Sequence, residues 1–504
     1  MKKGLQFVSG PRRSAIYELA TGKIYSVDPF TTRVLSLGLK NVPVEDIPRR
    51  LRLGPTSSRR RWVKAFLEHP FVRISPRPNR QDLLQPAPPP KHLEFLWIEL
   101  TATCNLRCQH CYASSGPDRA PGKMAKTDYS RLLAEAAELG CESVQFTGGE
   151  IFLRDDLIDL IGEARSLGFK QIELYTNATL VREKDLDFLK ENRVGFAVSL
   201  YSHRPESHDA ITLVPGSWKK TVASIRRILA REIPLRIGVV RMEENWGDLE
   251  GTRKYLEELG IPESQTTIDM VRPSGRGCEG GLSEPERSLI RLGPPSRFRP
   301  ENGRLTARTC WNGKLAVDPD GNVFHCVFSR GLPVGNVKTG SLREVTGGES
   351  LQSLWEITLE DVEDCRDCEY RYACFDCRLQ AFARTGRILA KPPTCAYLPH
   401  EGDCERAEGM PIQTEALPAP TLPRPRSSVS LRLVDGEALL YDRESRAMHI
   451  LNPTAARIWK WCDGKATRAE IIEKMAAVYA ASRDQISRDV CKTLSSFQEM
   501  GLLE

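Results

Sequence analysis

The chain has 504 residues with 72 basic and 66 acidic side chains, a net charge of +6 that is too balanced to mark a nucleic-acid binder. That length buries several cores, so two to four domains are expected. Its apolar runs fall short of a membrane span and MKKGLQFVSG has no apolar signal core, so a cytoplasmic protein is expected, with its fifteen cysteines metal ligands rather than disulfides.

The N-terminal piece, 1–75, carries the basic run RRLRLGPTSSRRRWVK, which reads as a solvated face or as an attractor for an acidic peptide. Two proline-dense stretches, RISPRPNRQDLLQPAPPPKH and MPIQTEALPAPTLPRPRSS, read as extended spacers and set linkers at 76–92 and 409–428. After the first spacer, strand and helix signals alternate. FLWIELTATC, SVQFTGGE, QIELYTNATL, FAVSLYS, LRIGVVRM and QTTIDMV read as strands, and YSRLLAEAAELG, DLIDLIGEARSLG and WKKTVASIRRILA as helices between them. Six strand-then-helix repeats predict an α/β fold with a parallel sheet curved into a partial (β/α)6 barrel over 93–300. Ligands then gather at the carboxyl ends of the strands, where Gly148, Gly149, Glu150, Asn177 and Ser199 fall.

CNLRCQHCY puts Cys104, Cys108 and Cys111 inside eight positions directly after the first strand. Three thiolates on one short loop can hold three irons of a four-iron cubane and leave the fourth open; a zinc site is the alternative. Glycines at 148 and 149 allow close backbone approach, and a carboxylate at Glu150 suits a cationic amine or, more simply, a helix start.

The Cys104-x3-Cys108-x2-Cys111-Tyr112 series, with TGGE one strand later, resembles the core of the radical S-adenosylmethionine (SAM) enzymes. The resemblance implies a 4Fe-4S cluster on Cys104, Cys108 and Cys111, its open iron chelated by S-adenosylmethionine. It also implies that Gly148, Gly149 and Glu150 receive the methionyl ammonium, that Asn177 and Ser199 meet ribose or carboxylate, and that the backbone at Tyr112 borders the adenine.

Eight further cysteines follow between Cys310 and Cys404. Their paired spacings suit zinc knuckles. Behind a radical core they resemble the SPASM extension, here 301–408. That resemblance implies two auxiliary iron-sulfur clusters, one on Cys310, Cys326 and Cys377 and one on Cys365, Cys368, Cys374 and Cys395. The quartet's last gap is two residues where the family has three. No cysteine sits just upstream of Cys310, so either Cys278 completes the first set or one iron stays open; Cys404 is an alternative to Cys395. Cys141, Cys462 and Cys491 read as packing residues.

From Val429 the chain reads as a hairpin around Asp435-Gly436, a third strand, then a helix with Asn452 as N-cap and Pro453 at its first position, and two more helices. The pattern LN-P-T-A with IW, DG and a closing GLL resembles a PqqD-type peptide-recognition domain at 429–504. A DNA-binding winged helix is the alternative, but ISRDVCKTLSSFQEMG has few basic residues for phosphate. Sliding the sequence by 424 residues aligns Tyr17 with Tyr441, Asp28-Pro29 with Asn452-Pro453 and Arg33 with Arg457, and FLEHPFV parallels FQEMGLL. A diverged second copy is therefore expected at 1–75, making small winged-helix-like α+β flanks at both ends.

Together the resemblances imply a radical SAM peptide maturase. A leader peptide would add a strand to a recognition domain, and a flavodoxin- or ferredoxin-type protein would supply electrons. The expected outcome is a thioether or carbon-carbon cross-link in a ribosomally made precursor. Alternatives are a maturase of a whole protein or cofactor precursor, and a zinc-dependent regulator. Asp269, at a strand end, is the candidate general base. His203 and His208 lie beyond the fourth strand and read as loop surface residues.

Overall fold

The computed structural model describes residues 4–40, 42–54, 63, 92–278, 295, 298, 304–374, 376–404, 423–434, 437–445, 447–464, 466, 468–479 and 483–503. They fall into two compact units. One holds 4–32 and the described residues from 92 to 404; the other holds those of 33–63 and 423–503. The proline-rich segments 76–91 and 409–422, and the FLEHPFV stretch, lie outside the described residues. Among the described residues no helix is long and apolar enough to cross a membrane.

The larger unit begins with an antiparallel meander of β1 (Leu5–Ser9), β2 (Ser14–Glu18) and β3 (Lys23–Val27). Its main body is a nine-stranded sheet. The strands β4 (Phe95–Glu99), β5 (Ser143–Thr147), β6 (Gln171–Thr176), β7 (Val194–Ser199), β8 (Leu235–Arg241) and β9 (Thr266–Met270) run parallel in chain order. Successive strand residues point to opposite faces. On the outer face Leu96, Ile98, Val144, Phe146, Ile172, Leu174, Phe196, Val198, Ile237 and Val239 are buried against the helices. The apolar stripes of Lys126–Glu138, Leu157–Ser166 and Ser217–Ala230 cover them through Leu133, Ile161 and Ile225. The alternate residues, among them Trp97, Gln145, Glu173, Tyr175, Ser199 and Arg236, face a cavity.

The six strands are those expected from sequence, but the sheet does not end there. β10 (Lys314–Val317) pairs in parallel with the free side of β4, Lys314 opposite Phe95, and β11 (Asn322–Phe324) and β12 (Gly335–Asn336) continue antiparallel. The turn after β10 is set by Asp318, whose Oδ1 accepts from Asp320 N and Asn322 N at 2.9 Å each, with Gly321 at φ +88°. The first hairpin of the cysteine-rich extension is thus part of the barrel sheet.

In the smaller unit β15 (Val429–Val434), β16 (Glu437–Asp442) and β17 (Met448–Leu451) form an antiparallel sheet; the short pair β13 (Tyr397–Leu398) and β14 (Asp403–Cys404) precedes it in the chain. The turn Asp435-Gly436 lies outside the described residues. Asn452 caps the helix Pro453–Lys460, its Oδ1 accepting from Ala455 N at 2.7 Å. With Arg468–Ala476 and Arg483–Glu499 this helix closes a core of Leu440, Ile458, Trp459, Ile471, Val490 and Phe497.

His208 departs from the surface reading. It sits in the helix Pro205–Thr212 with 1% of its surface exposed, and its Nδ1 accepts from Tyr201 N at 3.2 Å. His203 is half-buried and bonds Thr252. Burial lowers the His208 pKa from 6.5 to about 4. The unfolded chain therefore takes up a proton that the fold refuses, and stability falls as pH drops from 6.5 towards 4. From His208 alone we expect a loss on the order of 3 kcal/mol across that window, so that His208→Gln flattens the profile by that share, measured by denaturant titration.

Candidate active site

The site is assembled where β4 and β5 end. Gly149 N donates to Thr101 O at 2.6 Å and Glu150 N to Thr103 O at 2.9 Å, so the GGE segment lies directly on the residues that launch the cysteine loop. Gly148 has φ +134°, and a Cβ there would stand 2.5 Å from Thr101 O; one at Gly149 would collide with Thr103 O. Only glycine admits this approach.

The loop turns Cys104, Cys108 and Cys111 towards a cavity of about 390 Å³ inside the barrel. Leu106 N donates to Cys104 Sγ and Ser115 N to Cys111 Sγ, both at 3.4 Å. Burial pushes the Cys104 thiol up to about 12 and Cys108 higher, and the other thiols of the loop add to both. Thiols raised in this way become thiolates together only around a strong cationic centre, which an iron cluster supplies. Among the described residues no three His, Cys, Asp or Glu side chains surround one point closely enough for a single metal ion; ligands of a cubane sit on different irons.

Tyr112, Gly148, Gly149, Asn177 and Ser199 all line the cavity. Asn177 Nδ2 lies 3.7 Å from Cys104 Sγ and 3.0 Å from Asn105 Oδ1, and its Oδ1 accepts from Thr179 N at 2.9 Å. Tyr112 packs edge-to-face on Phe328, with its hydroxyl 3.4 Å from Thr147 Oγ1. Glu150 differs from the expectation. It is fully buried, is not among the cavity-lining residues, and its oxygens accept from Phe152 N, Thr176 Oγ1 and Asn177 N. Its carboxylate ties the end of β5 to the end of β6 rather than facing a ligand.

Asp269 lines the cavity, but both its oxygens are held by Arg272 Nη2, at 2.6 and 2.5 Å. Sequence reasoning missed a row of inward polar groups. Arg236 grips Glu173 through two bonds of 2.7 and 2.8 Å and lies over the Tyr175 ring, and Gln145 donates to Glu173. Their signal was a charged or amide residue alternating with apolar ones inside strands whose other face is helix-covered.

Cys310, Cys326 and Cys377 come together in the extension: Cys310 shares a hydrogen bond with Cys377, and Cys326 lies in their field. That bond, and then Arg272, hold Cys377 below its ordinary value. Cys365, Cys368, Cys374 and Cys395 form a second group, where burial and the neighbouring thiols raise Cys365 and Cys368. The side chains of Cys278, Cys404 and Cys491 lie outside the described residues. Cys141 and Cys462 are buried and bond the carbonyls of Ser143 and Ile458.

A model of the radical SAM superfamily matches residues 98–256, one of the SPASM iron-sulfur cluster-binding domain matches 310–369, and one of coenzyme PQQ synthesis protein D matches 437–503. The chain carries radical SAM, SPASM and PqqD domains and is an enzyme. Its cofactors are accordingly a 4Fe-4S cluster with S-adenosylmethionine and SPASM-bound iron-sulfur. Among curated relatives, an AdoMet-dependent heme synthase of Methanosarcina barkeri is 27% identical over 348 residues, 60% of this chain and 95% of the relative. A PqqA peptide cyclase of Gluconobacter oxydans is 27% identical over 360 residues, covering 66% and 97%. The subtilosin biosynthesis protein AlbA of Bacillus subtilis is 25% identical over 293 residues, covering 53% and 62%.

In this radical SAM domain, Gly149→Ala drives a methyl into Thr103 O, so we expect about 1–3 kcal/mol of destabilisation and reduced iron uptake by the cysteine loop. Gly247, with nothing within 4 Å of its added Cβ, is the matched control. Thermal melts and iron analysis of Gly149→Ala and Gly247→Ala check this.

Proposed function

We propose that the enzyme matures a ribosomally made precursor peptide, installing a thioether or carbon-carbon cross-link. The PqqD domain in the same chain as the radical core carries this reading, because it resembles a peptide-recognition element. A leader strand would pair with the edge of its sheet, and covalent linkage would hold the core peptide at high effective concentration. Among the relatives, one is named for cyclising the PqqA peptide and AlbA for the biosynthesis of the bacteriocin subtilosin. Similarity to heme synthases supports a second reading, a cofactor-precursor substrate.

Cys104, Cys108 and Cys111 would hold the catalytic cluster. When bound, this group would supply reductive cleavage of S-adenosylmethionine and, through it, removal of hydrogen from the substrate. Gly148 and Gly149 would present backbone to the cofactor, with Asn177, Ser199 and Tyr112 around it. We assign Glu150 to bracing that wall. Asp269, already engaged by Arg272, orients groups in the cavity instead of acting as a base. The pairs Glu173–Arg236 and Asp269–Arg272 would select a polar or charged flank on the substrate, and the apolar Trp97, Phe328 and Val327 would exclude water.

Cys310, Cys326 and Cys377, and separately Cys365, Cys368, Cys374 and Cys395, would carry auxiliary clusters that take up the substrate's electron. A flavodoxin- or ferredoxin-type donor completes the cycle. The twelve described cysteines are all free thiols, which fits a reducing cytoplasm. The domain limits we assign are 1–75, 76–92, 93–300, 301–408, 409–428 and 429–504.

Reduced, reconstituted enzyme should release 5′-deoxyadenosine, and Cys104→Ala, Cys108→Ala, Cys111→Ala together should abolish it. With peptides encoded beside its gene, mass spectrometry should show loss of two hydrogens per cross-link. Unchanged peptide alongside a modified small cofactor precursor would favour the second reading.

A further inference from the structure

The 424-residue repeat extends to backbone register. Adding 424 carries the pair Leu5–Glu18 onto Val429–Asp442, Ile16–Tyr25 onto Leu440–His449, and the helix start Pro29 onto Pro453. Two three-stranded sheets of one pattern therefore bracket the chain, yet their outer faces meet different fates. Tyr441, on the central strand of the C-terminal sheet, is half-buried. Its counterpart Tyr17 is completely buried.

What buries Tyr17 is the cysteine-rich extension. Its hydroxyl donates to Glu369 O at 2.8 Å, and its ring meets Phe298 edge-to-face at 5.0 Å and Tyr372 at 6.2 Å. Val8, Ala15 and Tyr17 share one apolar cluster with Tyr370, Tyr397 and the flanking Cys368 and Cys395. The meander's turn presses on the same place, since a Cβ at Gly10 would collide with Glu369 Oε2. At the far side Phe298 N donates to Gly22 O at 2.8 Å.

We propose that the N-terminal sheet is a cover for the four-thiol centre of Cys365, Cys368, Cys374 and Cys395, with Tyr17 as the residue that closes it. One copy of the repeated sheet has given its outer face to shielding the auxiliary centre. The inference rests on the reading of these thiols as cluster ligands, and Tyr17 acts through packing as a positioning residue.

The test uses the full, reconstituted chain without peptide or S-adenosylmethionine. Iron content, the auxiliary electron paramagnetic resonance signal and the rate of its loss in air are measured for the parent, Tyr17→Phe, Tyr17→Ala, Tyr17→Leu and the matched Tyr441→Ala. We expect several-fold faster loss for Tyr17→Ala, with parent-like rates for Tyr17→Phe and Tyr441→Ala. In apo protein, iodoacetamide should label Cys368 and Cys395 faster in Tyr17→Ala; Tyr17→Leu serves both assays if the alanine variant does not fold. Parent-like air sensitivity and labelling in the folded Tyr17 variants overturn the inference while the cluster reading stands. A parent that takes up iron only at the 104–111 loop overturns the cluster reading, and the cover with it.

Discussion

The pairing of the GGE backbone with Thr101 and Thr103 is the contact on which the active centre depends. The loop carries three thiols, of which Cys104 is buried and Cys108 and Cys111 are half-buried. Two short backbone bonds seat its start on the GGE segment, reached only because neither Gly148 nor Gly149 has a side chain, and Arg107 N and Gln109 N bond the carbonyls of Thr212 and Ile211 further along. Glu150 completes the arrangement from beneath, its buried carboxylate accepting donors from three residues so that the ends of β5 and β6 move as one piece. Asn177, the next residue along, then stands over Cys104.

A second constraint links this centre to the extension. Arg272 leaves the end of β9, holds Asp269 on the cavity wall, lies over Phe328, and places its charge in the field of Cys377 and Cys310. A guanidinium so placed stabilises negative charge on both sides of it. The cavity wall and the first auxiliary thiol group are therefore electrostatically coupled through one side chain.

The barrel was legible because its strands are apolar runs broken by turn residues, and its helices carry apolar stripes at helical spacing. The cysteine loop was legible from spacing, and the grouping of the later thiols from family resemblance. What could not be read was pairing across distance. β10 is a four-residue strand, KLAV, hidden between two cysteine motifs, and nothing local says that it joins β4, over two hundred residues earlier. The inward row of Gln145, Glu173 and Arg236 needed the sheet's curvature to become a cavity wall. His208 looked like loop surface because its burial comes from Tyr201, on which it stacks and from whose N–H it accepts, and no local periodicity announces that contact. Glu150 had the right chemistry for an amine, but its donors come from a neighbouring strand end.

The seat of β10 also bears on how far this protein can be dismantled. Cutting the chain before residue 304 would strip the partner from β4 and leave a row of unmatched amide and carbonyl groups beside Leu96 and Ile98. A bare apolar margin of that kind invites pairing with other molecules and insoluble association. The barrel and its iron-bearing appendage are thus one folding unit, and shuffling the appendage between homologous scaffolds requires carrying this hairpin with whichever half keeps β4.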